Sequence, residues 1–214
     1  MSTDKNKSRL NLTIYNKHID QVDELVYLGH KLSNMNDGSV PLKHRIGLGW
    51  AAFERNKQLL LSKRVPYRVK SKIYNTYVLT VVLYGLECIN WTYGLCNKIE
   101  VFQNNVMRSM THTKLKDHVK ISTLREKTKL PPLCSIIKSK TLKLFGHIKR
   151  SSTGCSKLCL EGMISGKRKR GKPPRRWMDN IKKWSRLNTI QLNKASKDRI
   201  LWRDISHVNA HSAP

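Results

Sequence analysis

Acidic residues are scarce in this sequence. Its 214 residues include 14 Asp and Glu against 42 Lys and Arg, a formal net charge of +28 at pH 7. A compact chain with this imbalance repels itself and collects anions, so we expect a polyanionic partner. Residues 1–100 carry a net charge of +7 and residues 101–214 a net charge of +21. The second half of the chain therefore dominates the electrostatics.

A long apolar run, a leader peptide and a regular cysteine pattern are also missing. The best apolar run, residues 77–91, is interrupted by Glu87 and is too short to cross a bilayer. The first residues lack the apolar core of a signal peptide. We therefore expect no membrane partner and an intracellular chain, nuclear or cytoplasmic. The five cysteines are odd in number and irregularly spaced, which predicts reduced thiols rather than a disulfide framework.

The fold class predicted from the remaining residues is mainly α, and no internal repeat is visible. Residues 1–38 are predicted to form a short N-terminal β hairpin. Its two extended pieces, residues 12–15 and 25–32, are rich in branched and aromatic side chains, and polar residues such as Asn16 and Asp20 separate them.

Residues 39–150 are predicted to form a helical bundle. Ser39 can cap the first helix, and Pro41 suits a first turn, which tolerates a missing donor. A second helix is expected after Pro66. Its apolar stripe continues into VLTVVLYG, a segment that is apolar on every side and is the best candidate for the core. The apolar stripes are Leu42, Ile46, Gly49, Phe53 and Leu60; Val69, Ile73, Tyr77 and Val81; Leu95, Ile99, Phe102, Val106 and Met110; Val119 to Leu124; and Leu133, Ile136, Ile137, Leu144, Phe145 and Ile148.

Residues 151–176 are predicted to form a basic flexible linker. This stretch contains KRKRGKPPRR and buries too little apolar surface to offset its ordering entropy. Residues 177–214 are predicted to form small C-terminal helices, one over residues 177–187 and one over residues 200–208. We interpret Trp177, Trp184 and Trp202 as their apolar anchors, and stacking on bases is the alternative.

Several blocks, in this order, resemble one family of mobile elements. VDELVYLGHKLSNMNDGSVPLKHRIGLGWAAF, followed by YNTYVLTVVLYGLECINW, resembles the region downstream of the catalytic palm in non-LTR retrotransposon endonuclease-reverse transcriptases. FGHIKR, GKRKRGKPPRRWMDNI and KASKDRILWRD resemble later C-terminal segments of the same elements. The resemblance implies that residues 1–38 are the end of a palm, that residues 39–150 are a thumb, and that the basic tail follows.

The resemblance assigns a role to the YLG segment. Tyr27, Leu28 and Gly29 would form the primer grip, a hairpin that presents a primer end, with Gly29 allowing close backbone approach. The residues alone, without the resemblance, favour an ordinary edge strand ending in glycine.

The resemblance also implies that the catalytic machinery lies elsewhere. Reverse transcriptases hold two metal ions with carboxylates that include an adjacent Asp pair, and this sequence contains no Asp-Asp. The fingers, most of the palm and the endonuclease domain are expected to precede residue 1. We therefore predict no catalytic residue, metal site or cofactor, since Mg²⁺ would belong to the missing palm. The missing polymerase domains are candidate partners.

Two groups of cations are candidate ligands for phosphates of RNA and DNA. A cationic strand that neutralises successive phosphates gains affinity by releasing counterions. The alternatives are a solvated helix face and a solvated tail or nuclear localisation signal. The first group, the lysine face, comprises Lys138, Lys140, Lys143 and Lys149, and the second, the basic run, comprises Lys167, Arg168, Lys169, Arg170, Lys172, Arg175 and Arg176.

Two further motifs are weaker indications of a specific ligand than the two groups of cations. Residues 170–173 resemble an AT-hook core in which lysine replaces the second arginine. Cys155 and Cys159, with His147 upstream, have no second cysteine pair, which favours unpaired thiols over a zinc site.

Together these features predict a non-catalytic part of an RNA-directed DNA polymerase. It would grip template, primer or target DNA through Lys and Arg contacts of low sequence specificity. One alternative is a domesticated nuclear DNA-binding or interaction protein derived from such an element. Another is a decayed reading frame that folds poorly because loss of the palm exposes apolar surface.

Overall fold

A computed structural model of the chain describes residues 12–33, 38–151, 155–162 and 175–211, with side chains to residue 207. The fold is mainly helical with β hairpins near the N-terminus, as predicted. Two compact units are present, unit 1 (Met1–Leu86) and unit 2 (Glu87–Pro214). Their boundary falls inside the predicted bundle, and the four-part division of the chain stays a prediction.

Unit 1 begins with two antiparallel hairpins, where the sequence predicted one. The strands leave most of their side chains exposed, including the apolar Leu12, Ile14, Leu25 and Val26. The first pair is β1 (Leu12–Ile14) with β2 (Lys17–Ile19), and the second is β3 (Glu24–Tyr27) with β4 (His30–Ser33).

Each hairpin closes through a two-residue turn with positive φ at both positions. These residues are Tyr15 and Asn16 in the first turn and Leu28 and Gly29 in the second. Positive φ at both central residues defines the type I′ turn, whose twist matches that of the flanking strands. Leu28 is not a usual turn residue, so the sequence predicted a single extended piece over residues 25–32. That prediction was wrong, because the turn divides this stretch into two strands.

The remaining described residues of unit 1 are mainly helical. The first helix begins at Ser39, and its N-cap position falls on Gly38, whose φ is 73°, rather than on the predicted Ser39. The elements are α1 (Ser39–Arg55), α2 (Lys57–Leu61), α3 (Tyr67–Ile73), a π-helical segment (Tyr74–Leu79) and α4 (Thr80–Leu83).

The buried face of the second helical stretch differs from the predicted one. Tyr74, Val78 and Val82 are buried, whereas Val69 and Tyr77 of the predicted stripe are exposed. Both sets have helical spacing, and they lie on different sides of the helix. The segment VLTVVLYG does contribute to the core, although its Thr80 and Tyr84 are exposed.

Unit 2 contains seven helices among its described residues. Short 3-10 turns lie at Leu86–Cys88 and Leu115–Asp117. The helices are α5 (Tyr93–Thr111), α6 (Ile121–Thr128), α7 (Leu133–Arg150), α8 (Cys155–Glu161), α9 (Trp177–Ser185), α10 (Thr189–Ala195) and α11 (Arg199–His211).

The first part of unit 2 packs around α5. All five apolar residues predicted for this stripe are buried, from Leu95 to Met110. Glu100 joins the three neighbouring helices, because it accepts the Cys134 N–H at 2.8 Å and pairs with Arg125 at 2.8 Å. The amphipathic pattern therefore identified this core correctly.

A second apolar cluster joins α7, α9, α10 and α11. Trp202 is 2% exposed and donates its indole N–H to the Leu142 carbonyl at 2.7 Å. Trp177 and Trp184 pack against the same cluster, which agrees with their interpretation as anchors. A Cβ at Gly146 would overlap the Trp202 indole, so this glycine lets the indole lie against α7.

Two helices in this region were not predicted. The helix α8 lies inside the predicted linker. Its Leu160 packs against the second cluster, and this contact supports a helix in a stretch of mainly polar composition. The helix α10 begins at Asn188, whose side chain accepts the Gln191 N–H at 2.9 Å while the Gln191 side chain accepts the Asn188 N–H at 3.0 Å. This reciprocal cap was a visible sequence signal for a third C-terminal helix.

Candidate nucleic-acid interface

The predicted primer-grip residues lie together at the tip of the β3–β4 hairpin. Tyr27 is 61% exposed and Leu28 is 75% exposed. Leu28 has a φ of 48°, a conformation in which a bulky side chain is unfavourable. The tip therefore presents two large apolar side chains to solvent on a turn of fixed geometry.

A buried arginine fixes this tip. Arg45 of α1 is 5% exposed, and its guanidinium donates to the Gly29 carbonyl. The same guanidinium lies 4.5 Å from the centre of the Tyr84 ring, a cation–π contact. Arg45 was not predicted from the sequence, although it lies on the buried stripe of α1 between Leu42 and Gly49, where a lone arginine is unusual.

The end of the apolar segment also contacts the hairpin. Gly85 has a φ of 73°, and a Cβ at this position would lie 2.9 Å from Nδ1 of His30. Gly85 therefore lies against His30 of the hairpin, and Tyr84 contacts the arginine that holds the hairpin backbone. The VLTVVLYG segment positions the hairpin through its last two residues.

We expect an Arg45→Ala variant to loosen the hairpin selectively. Without the guanidinium, the Gly29 carbonyl loses its donor at a cost of about 1 kcal/mol. Amides of β3 and β4 should then exchange with deuterium about fivefold faster. Arg55→Ala, an exposed position on the same helix, is the matched control and should leave the exchange unchanged. Equal exchange in wild type and Arg45→Ala would show that the contact does not order the tip.

The four residues of the lysine face differ in exposure and in ion pairing. Lys140 and Lys143 are exposed, and no ion pair joins them to a carboxylate within the described residues. Lys138 and Lys149 are partly buried, and Lys149 donates to Glu161 of α8. That bond holds the pKa of the Glu161 carboxyl below its usual value. A phosphate would have to compete with Glu161 for Lys149, so Lys140 and Lys143 are the better placed ligands.

Only the end of the basic run lies among the described residues. Lys167, Arg168, Lys169, Arg170 and Lys172 fall outside them, as does the AT-hook-like stretch. Arg175 and Arg176 are exposed. The Arg175 carbonyl accepts from the Asn90 side chain, and the Arg176 N–H donates to Asp179 at 2.8 Å. Both main-chain contacts leave the guanidinium groups exposed.

Several carboxylates of unit 2 bind helix N-termini. Asp117 accepts the Lys114 N–H at 2.7 Å, and Asp198 accepts the Ile200 N–H at 2.8 Å. Asp179 caps α9 in the same way. These acids satisfy amides that a helix leaves without partners, and negative charge is favourable there. They are therefore engaged in capping rather than in pairing with the surrounding lysines.

The cysteines form no metal centre in the described residues, which hold no group of three or more potential ligands from His, Cys, Asp and Glu. Cys155 and Cys159 are exposed on α8, and all five thiols are free. The Cys134 thiol hydrogen-bonds Cys96, an interaction that lowers the pKa of Cys96 and raises that of Cys134. Among the residues that the structure describes, no helix has the length and apolar character needed to cross a bilayer.

Comparison with known proteins gives one informative likeness. An uncharacterized transposon-derived protein of Caenorhabditis elegans is 25% identical over an alignment of 172 residues that covers 77% of this chain. The chain spans 61% of the length of that curated relative. No family model and no solved structure matches the chain. The likeness indicates a transposon origin.

Proposed function

We propose that this chain is a nucleic-acid-binding, non-catalytic part of a retrotransposon reverse transcriptase. It grips RNA template, DNA target or their hybrid through Lys and Arg contacts to phosphates. The transposon-derived relative supports the origin. The ordered sequence blocks support the position downstream of the palm, and the lack of an adjacent Asp pair supports a non-catalytic role.

The observation that carries the proposal is the unneutralised surface charge of unit 2. No described Lys or Arg of this unit is buried. Three ion pairs occur among its described side chains, Glu100–Arg125, Lys149–Glu161 and Arg203–Asp204, and the caps engage further acids. Exposed cations without acidic partners attract polyanions and release the counterions condensed on them.

The hairpin of unit 1 supplies the second part of the proposal. Its exposed Tyr27 and Leu28 offer apolar surface for the terminal base or sugar of a primer. Arg45 holds the neighbouring Gly29 backbone, so this contact would not require the tip to reorganise. Preorganisation of this kind lowers the entropic cost of binding.

A salt titration tests the binding proposal. We expect the chain to bind labelled single-stranded RNA, duplex DNA and an RNA–DNA hybrid in dilute buffer. Six to ten phosphate contacts would weaken binding by about 10³ to 10⁵ between 50 mM and 200 mM salt. The measurement is fluorescence anisotropy at several salt concentrations. No binding to any of the three ligands at 50 mM salt would refute the proposal.

The AT-hook-like sequence at residues 170–173 favours a second candidate, a domesticated nuclear DNA-binding protein. An extended Arg-containing strand binds the narrow minor groove of AT-rich DNA. Competition between AT-rich and GC-rich duplexes at constant salt separates the candidates. A preference of more than about tenfold for the AT-rich duplex would favour this second function, because phosphate contacts alone give no such preference.

A further inference from the structure

A basic cleft lies between α7 and α11 in unit 2. Its volume is about 330 Å³, and Lys143, Arg150, Arg199, Arg203 and His207 line it above Trp202. Lys143 is the member that also belongs to the lysine face. An adjoining hollow of about 310 Å³ shares Arg150 and Arg199 and adds His147. We refer to the two together as the α7–α11 cleft.

The packing of Trp202 builds the walls of this cleft. The indole donates to the Leu142 carbonyl and lies 5.3 Å from the Phe145 ring, which fixes α11 against α7. Gly146 permits this close approach because it has no side chain. The base of the cleft is therefore set by core packing, whereas most of its other lining residues are exposed.

Arg150 is held in place at the junction of the two hollows. Its guanidinium donates to the Ser196 carbonyl at 2.9 Å, and the residue is half-buried. A guanidinium has five donors, so this bond leaves donors for a ligand. Arg199 and Arg203 are exposed one turn apart on α11. One hydrogen-bonded and two exposed guanidinium groups thus line a shared space.

Negative charge near the cleft is weak. No carboxylate lines either hollow in the part of the chain that the structure describes. Asp198 accepts the N–H groups of Ile200 and Leu201 at 2.8 and 3.1 Å. Asp204 lies 3.9 Å from Arg203, but both side chains are about two-thirds exposed, so solvent screens the pair. Four cationic side chains therefore line the cleft, and the two neighbouring carboxylates lie outside its lining.

We propose that the α7–α11 cleft is a preformed phosphate site that binds the sugar-phosphate backbone of one nucleic-acid strand. Arginine suits this role because its planar fork bonds phosphate oxygens bidentately. The volume of about 330 Å³ accommodates a short stretch of the backbone of one strand. This inference rests on the proposed nucleic-acid binding and adds a defined site that fixes the position of a strand on unit 2.

The test compares two exposed pairs of cations in unit 2. Arg199→Gln with Arg203→Gln removes two charges from the cleft, and Lys182→Gln with Lys183→Gln removes two from α9. The probe is a fluorescein-labelled twelve-nucleotide oligothymidylate. We expect the cleft variant to bind at least about tenfold more weakly, because it loses charge-assisted hydrogen bonds. Its salt slope should fall by about 1.4, the value for two phosphates of a single strand. The α9 variant should lose less than about threefold.

A third variant separates hydrogen-bond geometry from charge. Arg199→Lys with Arg203→Lys should keep the salt slope and still lose affinity, since lysine acts as a point charge. Equal losses in the cleft and α9 variants would overturn the cleft as a site and leave general binding intact. Failure of the wild-type chain to bind the oligonucleotide in dilute buffer would overturn both proposals. Unchanged circular dichroism should confirm that these exposed substitutions leave the fold intact.

Discussion

Replacing Gly146 with alanine is expected to destabilise unit 2 by about 3 kcal/mol. The added methyl group would occupy the space of the Trp202 indole and would also crowd the Arg150 guanidinium. Displacement of the indole would break its hydrogen bond to Leu142 and open the cluster that joins α7 to α11. Calorimetry should show a fall of about 10 °C in the unfolding temperature of this unit.

Gly94 provides the matched control for this prediction. It lies in the first turn of α5 in the same unit, and an added Cβ meets nothing within 4 Å. Alanine is a better helix former than glycine, so Gly94→Ala should be neutral or stabilising by up to about 1 kcal/mol. If Gly146→Ala behaved like Gly94→Ala, the close packing of Trp202 on α7 would be disproved.

Replacing all seven cations of the basic run with glutamine is expected to weaken binding to duplex DNA by a factor on the order of 10³ at moderate salt. If each cation neutralises one phosphate, the slope of log affinity against log salt should become shallower by about 6. The measurement is the same anisotropy titration, carried out on the variant and the wild type in parallel. An unchanged slope would show that the run does not contact phosphates.

A variant with residues 167–176 in scrambled order is the control, because it keeps the charge and alters the sequence. Nonspecific phosphate binding should survive scrambling with its salt slope intact. Loss of an AT-rich preference in the scrambled variant would instead support the minor-groove function. Both measurements use purified chain, so a role of the same residues in nuclear import does not affect them.

Burial patterns that depend on residue spacing within a single helix were predictable from the sequence. The five apolar residues of α5 recur at three- and four-residue steps, and all five are buried. The second helical stretch was less predictable because apolar residues occur on more than one side of it. There Lys70, Tyr74 and Val78 are buried while Val69 is exposed, an outcome that depends on packing against other elements. Periodicity alone does not determine which apolar side faces the core.

The candidate site was predictable in its charges but not in its contacts. The lysine face lies on a single helix, so its spacing was visible in the sequence. The Arg45–Gly29 bond joins residues 16 positions apart, and the Trp202–Leu142 bond joins residues 60 apart. Such pairs form only when separate elements pack together. The α7–α11 cleft was not foreseen for the same reason, since its arginines come from two distant helices.

The packing of both α8 and α9 on α7 has a consequence for how this chain can diverge. The stretch joining α8 to α9 carries most of the basic run, and both of the helices that bound it pack on α7. Doubling the length of such a connection costs only about 0.6 kcal/mol in loop-closure entropy. Insertions or deletions there would change the number of cations, and hence the affinity for phosphates, with little effect on folding. Related chains are therefore expected to vary most in length at this connection.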